Sequence, residues 1–129
     1  MEYYFTKTLN IPFDLAITRT TEILKKHGFG VISEIDIRAK LKEKLGVDYK
    51  KYLILGACSP SHAYRALQAE DKIGTMLPCN VIVIEQGEDM TEVAAINPVA
   101  SMMAIDNPSL ASVTKEVTEK LKKVIEDLQ

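Results

Sequence analysis

Two almost uninterrupted apolar runs, "YLILGAC" at residues 52–58 and "NVIVIE" at 80–85, set the tightest limit on how this chain folds. A half-exposed strand alternates apolar and polar residues, whereas a short continuous run belongs to a strand covered on both faces. Both runs are therefore predicted as central strands of one sheet. Between them, Pro60 to Glu70 reads as a helix, with Ser59 as N-cap and Pro60 at the first helical position. That intervening helix suits a parallel crossover, but an antiparallel pair is equally compatible with the local sequence.

The remaining segments arrange themselves around this pair. "YYFTKTL" alternates well enough for a first strand, and Phe13, Ala16, Ile17, Thr20, Ile23 and Leu24 then recur at helical spacing up to a stop at Gly28. Lys25, Lys26 and His27 occupy the last turn, where basic groups face the negative end of the helix dipole, so His27 is read as a capping-region residue. "GVISEIDI" is a second strand, with Val31, Ser33, Ile35 and Ile37 expected on one face and Ile32, Glu34 and Asp36 on the other. Glu34 and Asp36 side by side are read as solvated carboxylates rather than an acid–base pair.

"RAKLKEKLG" fits a short helix with Leu41 and Leu45 on one side and Gly46 as its stop, and "EVAAI" supplies a fifth, outer strand. Asn-Pro occurs at 97–98 and 107–108, each time an N-cap before a residue preset for a helical start. The second opens a long helix whose stripe of Leu110, Val113, Val117, Leu121, Val124 and Leu128 is expected to face the core, with Glu116–Lys120 and Glu119–Lys123 pairs outside. An α+β fold follows, helices packed against one sheet in a single domain spanning 1–129. A doubly wound nucleotide-binding design is the structural alternative, but the first strand is not followed by a glycine-rich turn.

Charge narrows the partners. The 129 residues carry a net charge of -2, with ten basic against seven acidic residues in 1–51 and six against eleven in 52–129. A protein that coats phosphate backbones needs a surplus of Lys and Arg, so nucleic acid is not the expected partner. The local excess at Arg38, Lys40, Lys42, Lys44, Lys50 and Lys51 is read as a solvated face. Proline-broken apolar stretches shorter than about 20 residues give no membrane span. No basic n-region and apolar h-region open the sequence, so a cytoplasmic location is expected, in which Cys58 and Cys79 stand as thiols.

Those cysteines carry the candidate chemistry. Cys58 ends its strand just before a helix start, where free backbone N–H groups and the positive end of the dipole favour a thiolate. His62, in the first turn of that helix, is disfavoured as a cation by the same field and so left able to ligate or accept a proton. Cys79 opens the next strand. If the two strands are antiparallel, the sulfurs approach one another; if parallel, roughly 20 Å of strand separates them. A Cys58–His62–Cys79 set with an open fourth position could hold zinc, or a soft ion such as Cu(I) helped by Met76, Met102 or Met103. Packing of the thiols as small hydrophobes is the leading single reading, ahead of a reactive thiol at Cys58 and of a metal site.

"EIDI", "LGACSP", "LPCNVIV" and the closing "NPxxxMxxxxNPxL" together resemble the bacterial and archaeal family known as domain of unknown function 302, and the likeness covers nearly the whole chain. The resemblance implies an α+β fold similar to the TATA-binding-protein type, with a mostly antiparallel curved sheet, and it implies homodimers. It matches at Glu34, Asp36, Gly56, Cys58, Pro60, Ala63, Leu67, Pro78, Cys79, Asn80 and Pro108, and implies no particular activity. It would also place the Cys58 and Cys79 strands side by side and antiparallel. This sequence departs from the family at Ser59, where asparagine is frequent, and at His62, the family's histidine standing nearer Tyr64.

The resulting expectation is a non-enzymatic, dimeric binding or accessory module that holds a small ligand or soft metal with Cys58, Ser59, His62, Cys79 and Asn80. The alternative is a thiol-dependent redox or sulfur-transfer enzyme, with Cys58 as nucleophile and Cys79 as the resolving thiol.

Overall fold

A computed structural model of the chain describes residues 2–129. Five strands, β1 (Tyr4–Leu9), β2 (Gly30–Asp36), β3 (Tyr52–Cys58), β4 (Cys79–Gly87) and β5 (Met90–Ile96), form one sheet in the order β1-β5-β4-β3-β2. Every neighbouring pair is antiparallel. The helices are α1 (Phe13–Lys26), α2 (Ile37–Leu45), α3 (Pro60–Ala69), α4 (Pro98–Ser101) and α5 (Ala111–Asp127), with 3-10 turns at Asp71–Met76 and Pro108–Leu110. The α+β class, the five strands and the antiparallel sheet agree with the expectation.

The two apolar runs lie inside the sheet, β4 at its centre and β3 beside it. The fifth strand is not an outer one, as expected from sequence: β5 lies between β1 and β4, and the edges are β1 and β2. Its residues Val93, Ala94 and Ala95 are buried accordingly. Short, small-residue segments carry little signal of edge or centre, because the position of a strand is set by which partners it finds.

Alternation along β3, β4 and β5 sends Leu55, Ala57, Val81, Val83, Val93 and Ala95 to one face, where α1 and α5 cover them with Ala16, Leu24, Leu121 and Val124. A smaller cluster of Ala66, Ile73, Leu110 and Val113 forms where α3 and the two 3-10 turns meet the start of α5. The stripe on α5 therefore faces inward as expected, but its first two members serve the smaller cluster and its later ones the main core, with Val117 packed against both. Glu116 does not pair with Lys120; it reaches Arg65 on α3 instead.

The opposite face of the sheet carries an in-register cross-strand row of Thr6, Ala94, Ile82, Ile54 and Ile35. These residues belong to neither buried cluster, and Ile35 is 45% exposed.

Strand β2 breaks the regular alternation. Its register slips between Val31 and Ser33, so Val31 pairs with Ala57 on the core face while Ser33 and Ile35 pair with Gly56 and Ile54 on the other. The expected shared face of Val31, Ser33 and Ile35 is thus divided by one extra residue, Ile32. Asp36 ends the strand and accepts a hydrogen bond at 2.9 Å from the Ala39 N–H, which starts α2 at Ile37. None of α2 is buried, and Leu45 is 69% exposed, so its two leucines do not face a core. Gly46 closes that helix at φ 67°, a left-handed conformation that favours glycine, as its expected role as a stop requires. His27 caps α1 and its Nε2 lies 2.7 Å from Asp127 at the end of α5.

Candidate functional site

The antiparallel pairing of β3 and β4 brings the end of one beside the start of the other, with Ala57 opposite Cys79. Cys58 and Cys79 therefore share one end of the sheet. Both are half-buried free thiols, and both lie in the wall of a cavity of about 350 Å³ between the main core and the smaller cluster. Phe29 and Ala57 supply its side toward the sheet, Ala66, Leu110 and Val113 its far side. Pro78, joined to Leu77 by a cis peptide bond, completes the rim beside Cys79.

Burial pushes the Cys79 thiol up to about 11, and the nearby Cys58 adds to the effect. At neutral pH Cys79 is thus protonated and chemically quiet.

Ser59, His62 and Thr114 are the polar part of the wall, the first two buried at 7% and 8% exposure. Ser59 stands at the N-cap of α3, as the sequence indicates, but its side chain does not cap the helix; Oγ is hydrogen-bonded at 2.7 Å to His62 Nδ1. A buried imidazole needs partners, and one residue three positions away supplies the nearest. On the other side of the ring, Nε2 lies 3.5 Å from Glu116, which Arg65 holds through contacts of 2.8 and 3.1 Å. The hydrogen bond from Arg65 holds the Glu116 carboxyl below the usual glutamate range; desolvation is the next largest effect and opposes it, while the Arg65 charge and then His62 add to the lowering. Sequence reasoning did not find Arg65 and Glu116. They stand 51 residues apart on different helices, and no local pattern joins them.

The expected site is thus assembled in part. Cys58, Ser59, His62 and Cys79 line one cavity, whereas Asn80 is paired with Gly56 on the sheet's other face, is exposed, and does not line it. That departure follows from the alternation of side chains: the residue after Cys79 in a regular strand must point away from it. The three expected metal donors, Cys58, His62 and Cys79, share this wall, but no group of three or more ligating side chains converges on one point among the described residues. Met76 and Met103 do not line the cavity, although Met102 does.

The basic stretch in and after α2 is exposed, and within it Lys42 pairs with Asp48 at 3.0 Å and Lys40 with Glu43 at 3.7 Å. No helix among the described residues is long and apolar enough to cross a membrane.

The crystal structure of an uncharacterized conserved DUF302 protein from Bacillus stearothermophilus superposes with a TM-score of 0.90 at 26% identity, covering 100% of both chains. No curated protein matches the sequence. The family model described as domain of unknown function DUF302 matches residues 5–128, nearly the entire chain from the first strand to the end of the last helix, and the chain accordingly belongs to that family.

Proposed function

We propose that this protein is a non-enzymatic binding or accessory module that works as a homodimer and holds a small molecule in the cavity walled by Cys58 and Cys79. The observation that carries this reading is the cavity itself. Its volume of about 350 Å³ falls in the range of small-ligand sites, and it gathers both cysteines with the Ser59–His62 pair in one wall. A thiol enzyme with Cys79 as resolving group is the weaker reading, because a resolving thiol must attack as its thiolate and burial keeps this one protonated. The dimer is supported by Ile35, Ile54 and Ile82 in register on the sheet face away from the main core, the first exposed and the other two half-exposed, which a second copy would shield from water.

Alkylation kinetics on freshly purified protein, beside metal analysis of the same sample, test the proposal. A bound ligand predicts that Cys58 and Cys79 both react slowly as purified, and that Cys58 accelerates by at least about tenfold once small molecules are removed by denaturation and refolding. Rapid alkylation of the purified protein followed by a reversible Cys58–Cys79 disulfide would favour the thiol enzyme. Stoichiometric zinc lost on replacing either cysteine by serine would favour the metal site.

A further inference from the structure

The wall of the cavity restricts the kind of molecule that fits it. No Lys, Arg, Asp or Glu side chain is among the described residues lining it, and its one imidazole, His62, already faces Glu116 at 3.5 Å. The nearest acidic and basic groups are also already engaged: Glu116 lies against His62, and Arg65 grips Glu116 with two guanidinium nitrogens. An anionic ligand would therefore lose its hydration without gaining a free cation, a loss that an apolar wall does not restore. A cationic ligand would meet no carboxylate in the wall. Polar recognition is confined to Ser59, His62 and Thr114, with the two thiols and Met102 as soft, polarisable contacts. Size is limited as well. An apolar cavity of about 150 Å³ takes benzene, so by proportion about 350 Å³ takes roughly 12–14 non-hydrogen atoms.

We infer that the ligand of this site is a small uncharged molecule, an aromatic or alicyclic body carrying a single hydrogen-bonding group that meets the Ser59–His62 pair. This rests on the proposed binding function and adds the ligand's class to it. An acid that must bury its carboxylate against this wall falls outside that class by the same argument.

The test is a fluorescence titration of the full chain with 2-naphthol, uncharged at neutral pH, and with 2-naphthoate, the same rings bearing a carboxylate. The protein has no tryptophan to obscure the signal. The expected result is saturable, one-to-one binding of 2-naphthol, at least about tenfold tighter than 2-naphthoate. Saturating 2-naphthol should also slow iodoacetamide labelling of Cys58 in the ligand-free protein. Filling the cavity with Ala63→Phe should abolish binding while leaving the far-ultraviolet circular dichroism unchanged; should that variant not fold, thiol protection in the unmodified chain decides. Equal or tighter binding of 2-naphthoate, with Cys58 protected, would overturn the inference of a neutral ligand and leave the binding function standing. Binding of neither probe, with labelling unaffected, would remove the cavity as a ligand site and both conclusions with it.

Discussion

The Cys79 thiol packs against the main core on one side and approaches Cys58 on the other, and both surroundings oppose its ionisation. Its folded-state pKa lies above the ordinary thiol value, so the folded chain keeps a proton that the unfolded chain releases. Stability linked to this group is therefore complete below the ordinary thiol pKa and falls as the pH rises from there to about 11. Urea unfolding should show the unmodified protein losing on the order of 2 kcal/mol more than Cys79→Ala across that alkaline window. Parallel pH profiles for the two would show that Cys79 is freely hydrated. The sequence showed where this cysteine lies in the chain but not its environment, since burial depends on elements far away along the chain. Ser59 and His62 make the same point. Their three-residue spacing was visible, but the bond between Ser59 Oγ and His62 Nδ1, in place of a helix cap, depends on burial that withholds water from the ring.

At the scale of elements, the contact between β3 and its neighbours turns on Gly56. A Cβ there would overlap the Ser33 side chain on β2 and come within 2.7 Å of Pro78 Cγ at the cavity rim. Gly56→Ala should therefore force β2 or the Pro78 turn to move, destabilising the protein by about 1–3 kcal/mol in urea unfolding. Gly74→Ala, where an added Cβ meets nothing within 4 Å, serves as control and should stay within about 0.5 kcal/mol. Equal effects of the two substitutions would refute the close approach. Most elements could be read from the sequence because their signals are local: the stripe on α5, the prolines that begin α3 and α4, and the apolar runs of β3 and β4. The errors fell where a local pattern is ambiguous. One extra residue at Ile32 reversed the faces of β2, and a leucine pair on α2 mimicked an amphipathic stripe that packs on no core.

For the molecule as a whole, one sheet face is covered by α1 and α5 while the other presents Ile35, Ile54 and Ile82 in a single row. A lysine in the middle of that row would place a hydrated charge inside the proposed dimer contact. Ile82→Lys should convert the dimer to a monomer in light scattering coupled to gel filtration, with its circular dichroism unchanged. A monomeric unmodified protein, or a variant that stays dimeric, would rule this face out as the contact. The sequence by itself determined the α+β class, the number of strands and the helix boundaries to within a few residues, because periodicity and capping act over a few neighbouring positions. Local spacing left open whether Cys58 and Cys79 meet, and the family resemblance alone implied it; tertiary structure alone decided the strand order, the exclusion of Asn80 from the cavity wall, and the Arg65–Glu116 support of His62. Each of these joins residues distant in the chain, and the backbone's direction through space, which no short stretch encodes, determines which of them come together.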